Sequence, residues 1–113
     1  MASVVRYVDI YVGPDNHDLC EVTVTGNTYG ALKTAIIDNN GTKGFVAGKQ
    51  KQTPPDWEGM TFSFGNVAKQ IYDPLDNDGI QGTNPIIVRL PGIYLFIYFC
   101  FLFYDFCNLD DNI

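Results

Sequence analysis

The sequence predicts an α+β domain: a mixed sheet crossed by one main helix, with an extra apolar strand at the C-terminal end. Three observations lead there. Two early runs, residues 4–12 and 19–25, are β-rich and set apolar against polar side chains across a turn-forming link. A capped amphipathic run follows at residues 29–38. Further β-rich runs at residues 60–64, 85–90 and 93–104 are separated by loops bearing Pro and Gly. The 113 residues are the size of one domain. With 46% hydrophobic and only 18% charged residues, the chain can bury a core, which excludes wholesale disorder.

In the first run Val4, Val8, Ile10 and Val12 share one face, and Tyr7, Asp9 and Tyr11 the other. Residues 13–18, Gly-Pro-Asp-Asn-His-Asp, are turn chemistry. In the second run Cys20, Val22 and Val24 oppose Glu21, Thr23 and Thr25, so the two runs should pair as an antiparallel hairpin. Asn27 or Thr28 offers a side-chain oxygen to the first free amides of the helix, whose apolar face carries Leu32, Ala35 and Ile36. Asn39-Asn40-Gly41 is the stop signal. Residues 44–47 read as a short strand, and residues 49–59, with Pro54-Pro55, as a loop.

Met60, Phe62 and Phe64 alternate with Thr61 and Ser63 and predict another strand. Residues 66–72 read as a helical turn or two, with Val67 and Ile71 on one side. Residues 73–85 read as an acidic loop, and residues 85–90 as a buried strand whose one charge is Arg89. Residues 93–104 are all apolar or aromatic. As a helix they would reach only ~18 Å, short of a bilayer core of ~30 Å. Their β-branched and aromatic content, after a Pro91-Gly92 turn, predicts a strand buried on both faces.

Three stretches in this order resemble the ubiquitin-like β-grasp family. Residues 28–38, with their Thr, Leu-Lys pair and Ile-x-Asp, are similar to the family's central helix. Phe45-Val46-Ala47-Gly48-Lys49-Gln50 is similar to its strand and turn ending in Ala-Gly-Lys-Gln. Ile86-Ile87-Val88-Arg89-Leu90-Pro91-Gly92 is similar to its last strand. The resemblance implies a β-grasp domain over residues 1–92, followed by an apolar extension at residues 93–113. It also implies a module that binds other proteins. Pro91-Gly92 stands where the family ends in a free Gly pair, and more chain follows, so an adaptor is expected rather than a conjugated modifier. Phe45, Gly48 and Ile87 then fall on the apolar recognition patch, unless Phe45 and Ile87 face the core. Lys49 matches a linkage-acceptor lysine, or is a solvated loop residue.

Outside that resemblance, Trp57 follows Pro54-Pro55-Asp56, a stiffened loop able to display an indole to a partner or fold it back over the core. Val46-Ala47-Gly48 resembles the inhibitory hairpin of cystatins, a minor alternative. A second alternative is a structural subunit of a larger, membrane-associated or homo-oligomeric assembly that buries residues 93–106. Thirteen acidic against seven basic residues give a formal charge of −6, which speaks against nucleic acid as a partner. Cys20, Cys100 and Cys107 are an odd, scattered set, so free thiols in a reducing, cytoplasmic setting are expected, with no structural zinc. The N-terminus carries no secretory pattern.

Asp73, Asp76, Asp78 and Gly79 invite a calcium reading, but Pro74 and Pro85 occupy positions that an EF-hand fills with acids. The one base–nucleophile candidate, His17 with Cys20, is disfavoured by placing Cys20 on the apolar face. No cofactor motif is present. A non-enzymatic role without cofactor or metal is the expectation.

Overall fold

A computed structural model describes residues 2–92. The expected strand at residues 93–104, together with Cys100 and Cys107, lies outside the described residues. The element order is β1 (Ser3–Val12), β2 (Asn16–Thr25), α1 (Tyr29–Asp38), α2 (Asn40–Gln50), β3 (Thr61–Phe64), β4 (Val67–Lys69) and β5 (Ile86–Leu90). The five strands form one mixed sheet in the order β2-β1-β5-β3-β4. β1 pairs antiparallel with β2, from Ser3 opposite Thr25 to Val12 opposite Asn16. It pairs parallel with β5, from Val8 opposite Ile86 to Val12 opposite Leu90.

Period-two alternation decides which side is covered. Val8, Ile10, Val12, Val22, Val24, Phe62, Ile86, Val88 and Leu90 all point to one face and are buried. The helices lie on that face. α1 contributes Tyr29, Leu32 and Ile36 to the core, and α2 contributes Val46. Thr28 caps α1, its hydroxyl accepting from the Ala31 amide. Asn39 ends α1 and begins α2, its side-chain oxygen accepting from the Thr42 amide.

Two expectations are corrected. Residues 44–47 are not a strand but the middle of α2. Asn39 recaps the chain at once, and Thr42, Val46 and Gln50 bury one flank, so tertiary packing outweighs the cost of three helical glycines. Residues 66–72 are not helical; Val67–Lys69 is a strand paired with β3. Gly65 and Asn66 both have positive φ, 58° and 63°, and close the two-residue hairpin whose twist suits such pairing.

Candidate functional site

The face of the sheet turned away from the helices carries the opposite set of side chains: Val5, Tyr7, Asp9 and Tyr11 from β1, His17 and Leu19 from β2, Ile87 and Arg89 from β5. Tyr11 stands mid-row, directly opposite His17 on one neighbouring strand and Arg89 on the other. The Tyr11 and His17 rings stack with centroids 4.6 Å apart and planes 12° from parallel. The Arg89 guanidinium carbon sits 4.6 Å from the Tyr11 centroid, a cation–π contact of about 0.5–1 kcal/mol at an exposed site. His17 Nδ1 lies 2.9 Å from Asp9 Oδ1. Arg89 has no ion-pair partner among the described residues.

In the adjacent row, Leu19, Asp9, Ile87 and Ser63 follow one another across the sheet. Leu19 is 50% exposed and Val5 46%. Tyr7 is partly covered where Gly82 approaches its ring. Apolar side chains around an ordered Tyr–Arg pair are the composition that protein interfaces favour at their centres.

The residues singled out from sequence do not form one surface. Phe45 and Trp57 are half-buried and pack against the core, on the helix side of the sheet. Gly48 and Lys49 are exposed on the last turns of α2. Ile87 is half-buried on the opposite side of the sheet. The expected Phe45–Ile87 patch is therefore divided by the sheet itself. The cystatin-like hairpin is corrected too, because Val46-Ala47-Gly48 is helical. Sequence reasoning did not single out Tyr11 or Arg89 as site residues, and considered His17 only as a partner for Cys20. The available signal was aromatic residues at the solvent-facing positions of a strand, Tyr7 and Tyr11, where polar side chains are usual.

The acidic loop is occupied by its own chain. Arg6, buried on the helix side of β1, donates through Nη1 to the carbonyls of Asp76 and Asp78, both at 2.8 Å. The Asp78 carboxylate accepts from the Tyr29 hydroxyl at 2.6 Å, that of Asp73 from the Gln70 amide, and that of Asp76 from Asn27 Nδ2. Burial, the hydrogen bond to Asp78 and the negative charges of Asp78 and Asp73 raise the Tyr29 pKa, against a lowering by Arg6. The Asp76 and Asp78 carbonyls tie the loop to β1, and the Asp78 carboxylate ties it to α1. Among the described residues no three His, Cys, Asp or Glu side chains converge to hold a metal ion.

His17 and Cys20 leave β2 on opposite faces, so they cannot act as base and nucleophile together. Burial, with Asp18 and Asp9 adding to it, pushes the Cys20 thiol up to about 11. No family model, curated protein or solved structure matches the chain. Among the described residues, no helix is long and apolar enough to cross a membrane.

Proposed function

We propose that this chain is a non-enzymatic protein-recognition module of the ubiquitin-like β-grasp kind, contacting its partner through the uncovered face of the sheet. The observation that carries the reading is the Tyr11–Arg89 pair on that face, flanked by Leu19 and Ile87. The mixed five-strand sheet with α1 across one face supports this reading, whereas residues 45–50 are helical in α2 and not the strand and turn that the resemblance implies. Arg89 is a positive point on a chain of formal charge −6. It suits a partner that offers a carboxylate beside an apolar side chain.

The test is site-specific photocrosslinking of the full chain in an extract of its source cells. A crosslinker at Leu19 on the uncovered face should give a discrete product that Arg89→Glu abolishes. A crosslinker at Lys33 on α1 should not give it. Identical products from both positions, unchanged by Arg89→Glu, would reject the reading. Phe45→Ala is the contrasting variant, since truncating its half-buried ring should cost about 0.8–1.5 kcal/mol of stability, half the full-burial value, and leave capture intact.

A further inference from the structure

Beyond the sheet face, we propose that the outer edge of β4 is a homodimer site, where two copies of this chain join antiparallel about a two-fold axis at Ala68. β4 is an outer strand of the sheet, paired with β3 on one side and open on the other. In an antiparallel pair, opposed residues alternate between exchanging both backbone hydrogen bonds and exchanging neither. Phe64 and Val67 flank the two-residue Gly65-Asn66 turn, so theirs is a pair that exchanges both. Ser63 and Ala68 come next and exchange neither, so the N–H and C=O of Ala68 point away from β3. Among the described residues no group meets them. Gln70, the next residue with outward groups, is already engaged. Its amide donates to the Asp73 carboxylate, and its carbonyl accepts from the Asp73 amide. The edge therefore offers one free donor and one free acceptor, both on the same residue.

A two-fold pairing uses both groups, because Ala68 of each copy exchanges its two hydrogen bonds with Ala68 of the other. A longer foreign strand would gain no more backbone bonds, since the edge has a single residue to offer. In this register Val67 lies opposite Lys69 of the second copy and can pack on the apolar stem of that side chain. The surroundings of the edge suit the same occupant. Val67 is 56% exposed, Ile71 57% and Tyr72 77%. Val67 lies on the helix side of the sheet, opposite Phe64, and the Ile71 carbonyl accepts from the Gly30 amide at the start of α1. An apolar flank thus runs from the β4 edge toward α1. The formal charge of −6 opposes self-association in general. Here, however, Lys69 is the only charge on the strand, and its Nζ stands 4.0 Å from Asp78 Oδ2. Three side chains and one backbone exchange per copy bury less than the ~1,200 Å² of a standard interface, so the dimer is weak and reversible.

Sedimentation velocity of the full chain should show a monomer–dimer equilibrium with a Kd between about 1 µM and 1 mM. Tyr72 is exposed, so Tyr72→Asp leaves the fold intact and should raise that Kd about tenfold. Ala68→Pro removes the free donor at a position where an edge strand tolerates proline, and should leave monomer alone. Circular dichroism would confirm that both variants fold. Cysteine pairing tests the register. In the two-fold pair the Cα atoms of Ala68 and its counterpart stand about 5.5 Å apart, within disulfide reach, whereas those of Gln70 and its counterpart are ~13 Å apart. Mild oxidation followed by peptide mapping should therefore link Ala68→Cys to itself across the dimer and leave Gln70→Cys unlinked. The absence of a concentration-dependent dimer would overturn the proposal. So would a dimer that survives both Ala68→Pro and Tyr72→Asp, or linkage of Gln70→Cys as readily as Ala68→Cys. Arg89→Glu should leave the dimer intact, so this site and the sheet-face reading can fail separately.

Discussion

Replacing Tyr29 by Phe removes one hydroxyl and keeps the ring, which makes it the cleanest probe of how the acidic loop is held. The side chain is fully buried and packs edge-on against Phe62, with centroids 5.5 Å apart. Its hydroxyl donates to the Asp78 carboxylate at 2.6 Å. Hydrogen bonds to a charged partner contribute about 1.5–3 kcal/mol. Asp78 keeps 18% of its side chain exposed and has Lys69 Nζ at 4.0 Å, so water and the ammonium can partly replace the lost donor. The expected cost therefore lies at the lower end, about 1.5–2 kcal/mol.

Urea unfolding followed by circular dichroism should show the midpoint falling by about 1 M at unchanged slope, for a slope of ~1.5 kcal/mol/M. A shift below ~0.3 M would refute the claim that this bond fastens the loop. Alkaline titration gives an independent check. The folded Tyr29 phenol is raised above the ordinary tyrosine value of 10.0, so the unfolded chain loses that proton first. The stability linked to it is fully present below pH 10 and is lost as pH rises further. Tyr29→Phe should flatten that decline, and an unchanged alkaline slope would count against the assignment.

Three further outcomes are expected. Gly79→Ala should cost about 2–4 kcal/mol in the same assay, because φ is +75° and a Cβ would lie 2.9 Å from Ile86 Cδ1 and 3.0 Å from the Tyr7 carbonyl oxygen. Gln50→Leu should cost about 1–3 kcal/mol, since the buried amide donates to the Asp56 and Pro91 carbonyls and accepts from the Asp56 amide, ties that leucine cannot make. Cys20, with its thiol pushed up to about 11, should react at pH 8 roughly a hundredfold more slowly in the folded than in the unfolded chain, as read by peptide mass mapping.

The hairpin and α1 were legible because their signals are local. Alternation placed Val8, Ile10, Val22 and Val24 inward, and Thr28 marked the helix start. Arg6 was not legible. It occupies an inward position of the same alternation, and only the carbonyls of a loop seventy residues away explain a buried guanidinium there. α2 was hidden for a different reason. Its buried flank is Thr42, Val46 and Gln50, of which one alone is apolar, and glycines at 41, 44 and 48 argue against a helix. The Thr42 hydroxyl earns its burial by donating to the Ile36 and Asn39 carbonyls, a partnership that needs α1 already in place. The Gly65-Asn66 hairpin could have been found, since that dipeptide between Phe64 and Val67 is a direct turn signal. For the candidate site, Ile87 lay on the right strand, but its neighbours Tyr11 and Arg89 come together only through the β1–β5 pairing.

That pairing also sets how the chain can be assembled and taken apart. β5, the last described strand, lies between β1 and β3, so the middle of the sheet stays unfilled until the end of the domain has left the ribosome. Early folding is then confined to the β1–β2 hairpin and the helices above it, and closure awaits a contact that spans the domain. Conversely, a single proteolytic nick between α2 and β3 would not release a piece freely. The severed half would still offer β5 to β1, with Val88 and Leu90 seated in the core, so the two fragments carry the means to find each other again.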